Sequence, residues 1–357
     1  MSIIKLARNA YTKYQQGKLI KITKTDMHNS VNTCPDEIAP LTTAEKREID
    51  AFWKPYDPRP DYDSFRWYYH MTGRRDCYFI PEATFAAHIL PYFNNIHQST
   101  TLADKNMYDI LFGEEGLPET LVRNINGVML NKDYQIITEQ EATVLASNEE
   151  KVVIKPTIAS GKGKNVKCIN TNSIIDSMRS YQKDYIIQSL IHQHESFSAL
   201  NSTSVNVVRI TSMLFDGKVY LLAPCIRVGD PGKFTDQNDG KSKNVCIGID
   251  DTGYMHNTGI ANDGTRLDVL PNGYRFGGKP VQGFFEMQSM AMKLHPRVAK
   301  IGLVGWDFTA DENGRAVFIE TNFKYPGVRR YQECNGPFFG SAELTQKVLG
   351  KVFSKSI

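Results

Sequence analysis

Three oxygen-bearing side chains, Asp307, Glu320 and Asn322, fall within the run LVGWDFTADENGRAVFIETN from Leu303 to Asn322. The run reads as two strands joined by Asn313-Gly314, the dipeptide suited to a two-residue type I′ turn. In that register Asp307 faces Glu320 and Gly305 faces Asn322. Alternation along a strand then puts Glu320 and Asn322 on the face of Asp307. The opposite face carries Val304, Trp306, Phe308, Val317 and Ile319 and can enter a core. Two carboxylates roughly 5 Å apart across such a pair repel, so something is expected to bridge them. A hard-oxygen trio suits Mg²⁺, which takes one or two carboxylates and leaves its other positions to water and phosphate. The plainer alternative is a solvated hairpin face with ordinary acids, and the apolar character of the other face favours the metal.

Groups able to meet a phosphate lie elsewhere in the chain. In KVVIKPTIASGKGKNVKCI, residues 152–155 and 166–169 read as strands around the loop Ser160-Gly161-Lys162-Gly163-Lys164. Glycines let backbone N–H groups approach phosphate oxygens, and lysines add charge. The loop is not a P-loop, because GxxxxGK[ST] is absent and a strand follows it. Lys155 lies inside an apolar strand, where an unpaired ammonium is costly, so an anion is expected beside it. Lys105 adds a further positive charge. In VNVVRITSMLFDGKVYLLAPCIRV the register decides where Arg209 and Arg227 point. A two-residue Asp216-Gly217 turn puts them on opposite faces; a three-residue Phe215-Asp216-Gly217 turn puts them on one face. Shared anion chemistry needs the second arrangement, which is the expectation here. After Asn322, the segment FKYPGVRRYQECNG brings Lys324, Arg329 and Arg330 beside the proposed metal. Metal, lysines, arginines and backbone amides are the parts of phosphoryl transfer. No Ser/His/Asp or Cys/His grouping points to a covalent nucleophile.

The elements that must position these groups follow in order. Residues 1–24 are basic, with Ile3, Leu6, Ala7, Ala10, Tyr11 and Tyr14 on one helical face. That face docks on its own domain; the sharper alternative is weak peripheral contact with an anionic membrane surface. Residues 26–60 read as loop and short helix, with a helix start at Thr42/Thr43 and Glu45 and a stop at Pro55, Pro58 and Pro60. The aromatic-rich run from Phe65 to Asn95 reads as the core of a small N-terminal domain. A helical run begins at Asp104-Lys105 and closes at Gly113, a strand pair covers 120–130, and a helix capped by Thr138 with Glu141 covers 139–146. A helix over 174–183 precedes the strand DYIIQSL. His192 and His194, two apart with no third ligand nearby, read as structural. Loops and short strands fill 229–282, helices cover 282–295 and 341–353, and no internal repeat is visible.

Composition bounds the rest. The chain has 357 residues, 41% hydrophobic and 23% charged, enough for two or three domains of an ordinary globular protein. A net charge of +3 gives no strong polyanion-binding field, so nucleic acid is not expected as a partner. The six cysteines form no CxxC, which points to free thiols in a reducing cytoplasm. No run approaches the roughly 20 apolar residues of a membrane span, and the N-terminus lacks a signal-peptide apolar region. Nothing in the chain sets an oligomeric state.

The order DK, VIKP, glycine-rich loop, VNVVRIT, GWDFT and FIETN resembles the ATP-grasp superfamily over roughly residues 100–335. With IPEATF and DKNMYDILF it is most similar to the sugar-transfer-associated ATP-grasp proteins. The resemblance implies an α+β fold in which two α+β lobes sandwich ATP, with a smaller, mainly helical N-terminal domain: 1–100, then an N-lobe at 101–190 and a C-lobe at 191–357. It implies an ADP-forming carboxylate–amine ligase working through an acyl phosphate. Lys105 and Lys155 would hold the α/β-phosphates, and Ser160, Gly161, Lys162 and Gly163 would close over the triphosphate. The backbone near Ser189, Leu190 and Ile191 would read adenine, with Gln188 where many relatives carry an acid, and Glu195 would meet the ribose. Asp307, Glu320 and Asn322 would bind Mg²⁺. Arg209 and Arg227 would stabilise the acyl phosphate and tetrahedral intermediate, with Lys324 and Arg329 at the substrate. The family's association with cell-surface polysaccharide synthesis (capsule included) suggests a small carboxylate such as a uronic acid or nucleotide sugar joined to an amine or amino acid. A kinase acting on a hydroxyl and a catalytically silent nucleotide-binding module share the same inventory.

Overall fold

The computed structural model describes residues 3–158, 163, 165–181, 184–234 and 244–354, with the side chains of residues 3–9, 96 and 97 outside that description. The strands β1 (Thr120–Ile125), β2 (Val128–Leu130), β3 (Lys151–Pro156), β4 (Lys167–Asn170) and β5 (Tyr185–Ser189) form an antiparallel sheet in the order β2-β1-β5-β3-β4. A second antiparallel sheet is built from β6 (Val207–Phe215), β7 (Lys218–Val228), β8 (Val245–Ile249), β9 (Met255–Ala261), β10 (Arg266–Leu267), β11 (Leu303–Ala310) and β12 (Ala316–Asn322). Its order is β10-β9-β8-β7-β6-β11-β12. This is the expected pair of α+β lobes.

Two hairpins fix the site, and in both the tip differs from the sequence reading. The β6–β7 hairpin turns through Asp216-Gly217, with φ of 47° and 73°, and Phe215 pairs with Lys218. That is a two-residue type I′ turn, which corrects the expected three-residue one. Arg209 and Arg227 nevertheless share a face, because β7 carries one residue more than β6. Pairing passes from Thr211–Leu222 to Arg209–Cys225 and Val207–Arg227, and Ala223 in the gap has φ of 43°. This β-bulge restores the alternation that the turn would have reversed.

At β11–β12 the tip is the three-residue loop Glu312-Asn313-Gly314, closed by Asp311 N–H donating to Arg315 O at 2.9 Å, with Gly314 at φ 79°. Asp311 Oδ1 also accepts from the N–H groups of Asn313 and Arg315, which favours this form over the expected type I′ turn. Phe308 pairs with Phe318 near the tip; the register then slips, so that Asp307 pairs with Glu320 and Gly305 with Asn322 as expected. The extra residue is Ile319. It lines a cleft beside Glu320, and Phe318 takes the core position assigned to Val317 and Ile319.

The helix Ile3–Thr33 runs further than expected and docks through its second half, where Met27 and Val31 are buried. Tyr11 and Tyr14, assigned to its docking face, are exposed. The helix Thr43–Trp53 starts at the expected Thr42–Glu45 capping box. The helix Tyr62–Thr72 buries Phe65, Trp67, Tyr68 and Tyr69. These aromatics do not enclose a separate core. They share one with Met213 and Phe215 of β6, Leu303 of β11, and Val348 and Leu349 of the helix Ala342–Ser354. The expected boundary near residue 100 is therefore not a core boundary. The sheet face that buries Leu303, Met213 and Phe215 in this layer carries Gly305, Asp307 and Arg209 further along. The opposite face packs on the helices Tyr108–Phe112 and Phe284–Leu294. A third core lies between the five-stranded sheet and the helices Glu139–Ala146 and Ile174–Ser180.

Candidate active site

Arg209 and Asp307 are opposite each other in the β6–β11 ladder and both are buried. The guanidinium donates from Nε to Asp307 Oδ1 and from Nη2 to Asp307 Oδ2 at 2.8 Å. Its Nη1 donates to Pro326 O at 3.1 Å and to Tyr331 Oη at 2.7 Å. Of the five N–H donors of an arginine, four are thus committed. Gly305 makes the room, since a Cβ there would lie 3.2 Å from Arg209 Nη1. Asn322 Nδ2 donates to Asp307 Oδ2 at 3.1 Å, and Arg227 Nη2 lies 3.9 Å from the same oxygen. Burial pushes the Asp307 carboxyl up, but the Arg209 and Arg227 guanidiniums outweigh it and hold the carboxyl below the usual range.

Glu320 pairs instead with Lys105 Nζ, at 3.0 Å. Each carboxylate of the facing pair therefore has its own cation, and their repulsion does not by itself call for a metal, as the sequence reading had required. The donor chemistry is a separate matter. Asp307, Glu320 and Asn322 present hard oxygens from one strand face, and a carboxylate keeps lone pairs beyond those a bidentate arginine uses. Fully protonated, Lys105, Lys155, Arg209 and Arg227 are four cations against the two carboxylates. A lone Mg²⁺ would enlarge that excess, whereas Mg²⁺ arriving with a polyphosphate would be balanced. The residues fit a metal that comes with phosphates. Among the described residues no cluster of three or more His, Cys, Asp or Glu suited to a metal occurs.

Lys155 is buried on β3. No hydrogen bond or ion pair of its ammonium is present among the described residues. Burial and the neighbouring Lys105 push its pKa from the ordinary value down to about 7, against the pull of Glu320. Lys105 is held above its ordinary value, because Glu320 outweighs burial. Its turn is fixed by Asp104, whose side chain accepts from Asn106 N–H at 3.0 Å, and by Lys105 N–H donating to Thr157 O at 3.1 Å. Two ammoniums in one buried place leave room for an anion as their natural partner.

From Lys155 an apolar slot runs along Val153, Val166 and Ile319 to Gln188, Ser189, Leu190 and Ile191. Gln188 Nε2 donates to Pro118 O and Thr120 Oγ1, each at 3.3 Å. Ser189 Oγ is buried with no hydrogen-bond partner among the described residues. The slot meets a second cavity of about 480 Å³ at Gly163, Arg227 and Glu320, which line both.

The far wall of that cavity holds Lys324, Arg329 and Arg330, with Tyr325 and Glu82. Arg329 and Arg330 come from the helix Arg329–Asn335, which the sequence reading did not foresee. Arg329 Nε and Arg330 Nη1 donate to the two oxygens of the buried Glu333, each at 2.9 Å. Trp67 Nε1 donates to Glu333 Oε1 at 2.7 Å, and the Arg329 guanidinium lies 4.6 Å from the Trp67 ring centre. Burial raises the Glu333 carboxyl, but the two arginines outweigh it and hold it below the usual range.

Lys105, Lys155, Gly163, Gln188–Ile191, Arg209, Arg227, Asp307, Glu320, Asn322, Lys324 and Arg329 thus line one connected space. Ser160, Gly161 and Lys162 lie outside the described residues. Glu195 does not join the space. It is exposed at the start of the short helix Glu195–Ser198, which His194 caps by accepting from Ser196 N–H at 3.2 Å. Glu82, Glu333 and Trp67 were missed as site residues. Glu333 had a signal, since it stands three and four residues after two arginines at helical pairing distance. Trp67 read as core, which it also is.

A family model described as sugar-transfer associated ATP-grasp matches residues 84–346. Among solved structures the chain is similar to the ATP-grasp ligase PsnB complexed with a minimal precursor, at TM-score 0.42 and 11% identity over 73% of this chain and 64% of that one. It is similar to the VanG D-Ala:D-Ser ligase from Enterococcus faecalis, at TM-score 0.43 and 12% identity over 72% and 63%. It is also similar to the D-alanine–D-alanine ligase from Bacillus anthracis complexed with ATP, at TM-score 0.40 and 13% identity over 74% and 71%. The chain spans less than two thirds of the length of the first two. No curated protein matches it. The family match extends over well more than half of the chain, and the chain belongs to the sugar-transfer associated ATP-grasp family.

Proposed function

We propose that this chain is an ATP-dependent carboxylate–amine ligase that forms an amide through an acyl phosphate. The observation that carries the reading is the meeting of the two cavities. Positive charge from Lys105, Lys155 and Arg227 stands where they meet, with an apolar slot on one side and a cation-walled cavity of about 480 Å³ on the other. Adenine lies in the slot against Ser189–Ile191, where the Ser189 hydroxyl has no hydrogen-bond partner among the described residues. Lys105 and Lys155 hold the phosphates, beside Gly163, which lines both cavities; Ser160, Gly161 and Lys162 are proposed to bind the triphosphate but lie outside the described residues. The terminal phosphate then points into the cavity, where Lys324 and Arg329 draw a carboxylate substrate.

The carboxylate oxygen attacks the terminal phosphorus, the bond to ADP breaks, and an acyl phosphate forms. The amine then attacks the acyl carbon, and phosphate leaves with the electron pair of the C–O bond. Arg227 faces the oxyanion that develops. Arg209, most of whose donors are committed, supplies charge and holds Asp307 in place. Such charge stabilisation is worth several kcal/mol in a water-poor site. Asp307, Glu320 and Asn322 are the residues that would hold Mg²⁺, which when bound neutralises phosphate charge. The proposed acid is a sugar acid, a uronic acid free or linked to a nucleotide, in keeping with the sugar-transfer association of the family.

The test is ADP release from ATP with uronic acids or nucleotide-linked uronic acids, each paired with amino acids. Release of ADP and phosphate that depends on both acid and amine supports ligation. A phosphorylated product formed without amine establishes the kinase instead. No turnover, with ATP binding intact, establishes a silent nucleotide-binding module.

A further inference from the structure

We propose that Glu82 receives the amine: its carboxylate binds the ammonium group in the second cavity and takes one proton from it before attack. This rests on the ligase reading. Glu82 opens the short helical turn Glu82–Thr84 directly after Pro81 and lines the cavity. Among the described residues its carboxylate accepts one hydrogen bond, from Tyr325 Oη at 2.7 Å. The other acids at or behind the cavity walls are committed to cations: Asp307 to Arg209, Glu320 to Lys105, and Glu333 to Arg329 and Arg330. Glu82 has no ion pair among the described residues. A half-buried carboxylate in this setting needs a cation, and the rest of the wall, with Lys324, Arg329 and Arg330, repels one. An ammonium entering the cavity therefore finds its counter-ion at Glu82.

The surroundings also suit proton transfer. The groups facing Glu82 are Tyr325, Arg329, Glu333, Asp26 and Tyr68. Burial raises the Glu82 carboxyl above its ordinary value; the Tyr325 hydroxyl and Arg329 pull it down, and Glu333 and Asp26 push it up. A carboxylate moved toward neutrality is a better base at neutral pH than an ordinary one. R–NH₃⁺ gives one proton to the Glu82 carboxylate, and the freed lone pair forms the C–N bond at the acyl carbon. The C–O bond to phosphate breaks, and the second nitrogen proton leaves on that phosphate. Glu82 returns its proton to water.

The decisive experiment compares the wild type with Glu82→Gln in the full chain. ATP and the uronic acid panel are supplied with either amino acids or hydroxylamine, which is largely neutral at pH 7 and needs no base. Glu82→Gln is expected to slow amide formation about 10²–10⁴-fold while still forming hydroxamate. Its amide rate should climb with pH as the amine deprotonates unaided, and Glu82→Asp should recover part of the loss. Equal amide rates and pH profiles in wild type and Glu82→Gln overturn the assignment, as does equal loss of amide and hydroxamate with ATP binding intact. If Glu82→Gln does not fold, Tyr325→Phe serves. Loss of its hydrogen bond should move the acid limb of kcat/KM upward, and an unmoved limb overturns the assignment. A wild type that forms neither amide nor hydroxamate overturns the ligase reading, and this assignment with it.

Discussion

Lys155→Met removes a buried ammonium and keeps the length of an apolar side chain, so it separates what the residue does for ATP from what it does for the fold. The fall from 10.5 to about 7 sets an upper bound of roughly 5 kcal/mol on the cost of the charged form, at about 1.4 kcal/mol per factor of ten in the proton equilibrium. Relaxation and water entry reduce this, and about 1–3 kcal/mol is expected to remain. The folded-state pKa lies below the unfolded one, so the cost is present in full below about pH 7. It shrinks as pH rises toward the ordinary lysine value. Without nucleotide, Lys155→Met should therefore be more stable than wild type at pH 6–7, and the two should converge near pH 10. With ATP and Mg²⁺ the order reverses in affinity. One lost charge-assisted hydrogen bond, about 1.5–3 kcal/mol, weakens ATP binding about 10- to 100-fold, and the thermal shift with nucleotide shrinks accordingly. Urea titrations from pH 6 to 10, with and without ATP, read both effects. A variant less stable than wild type at pH 6, or one with undiminished ATP affinity, refutes the reasoning.

Other substitutions test separate parts of the argument. Ala223→Gly should stabilise the protein by about 0.5–1 kcal/mol in thermal melts, because φ of 43° costs an alanine more than a glycine. Asp307→Asn leaves the Arg209 guanidinium buried against a neutral amide; it should cost about 3–5 kcal/mol in urea and abolish ATP turnover, and equal turnover would remove the proposed metal role. Glu195→Ala should leave the ATP-induced thermal shift unchanged, since the side chain is exposed and outside the connected space.

Much of the site was legible because it depends on parity along strands. The facing of Asp307 and Glu320 was reached from alternation; for Arg209 and Arg227 alternation left two registers open, and the shared face was chosen because anion chemistry needs it. Both were reached with the wrong hairpin tip, and the bulges at Ile319 and Ala223 corrected the count. A bulge leaves little trace in composition, since an alanine at positive φ or an extra isoleucine looks like any strand residue. The ion pairs of Asp307 and Glu320 were hidden for another reason. Arg209 comes from the neighbouring strand and Lys105 from a turn far upstream, and pairing between distant segments has no local period. Caps were easier: Thr42 with Glu45 and Thr138 with Glu141 are three-residue signals, and both helices start where those signals placed them.

The anchoring of Arg329 through Glu333 to Trp67 reaches across 266 positions of chain. Trp67 belongs to the layer behind the sheet, yet it fixes the orientation of a guanidinium on the cavity wall. If the ligase reading holds, a change of shape in that layer, such as a smaller ring at position 67, would shift the Arg329 guanidinium and with it the binding of a carboxylate substrate, without altering any residue on the cavity wall. On that reading the geometry of the cavity wall is inherited from the scaffold as well as from the pocket, and directed evolution confined to the pocket lining would leave Trp67 and Glu333 unexplored.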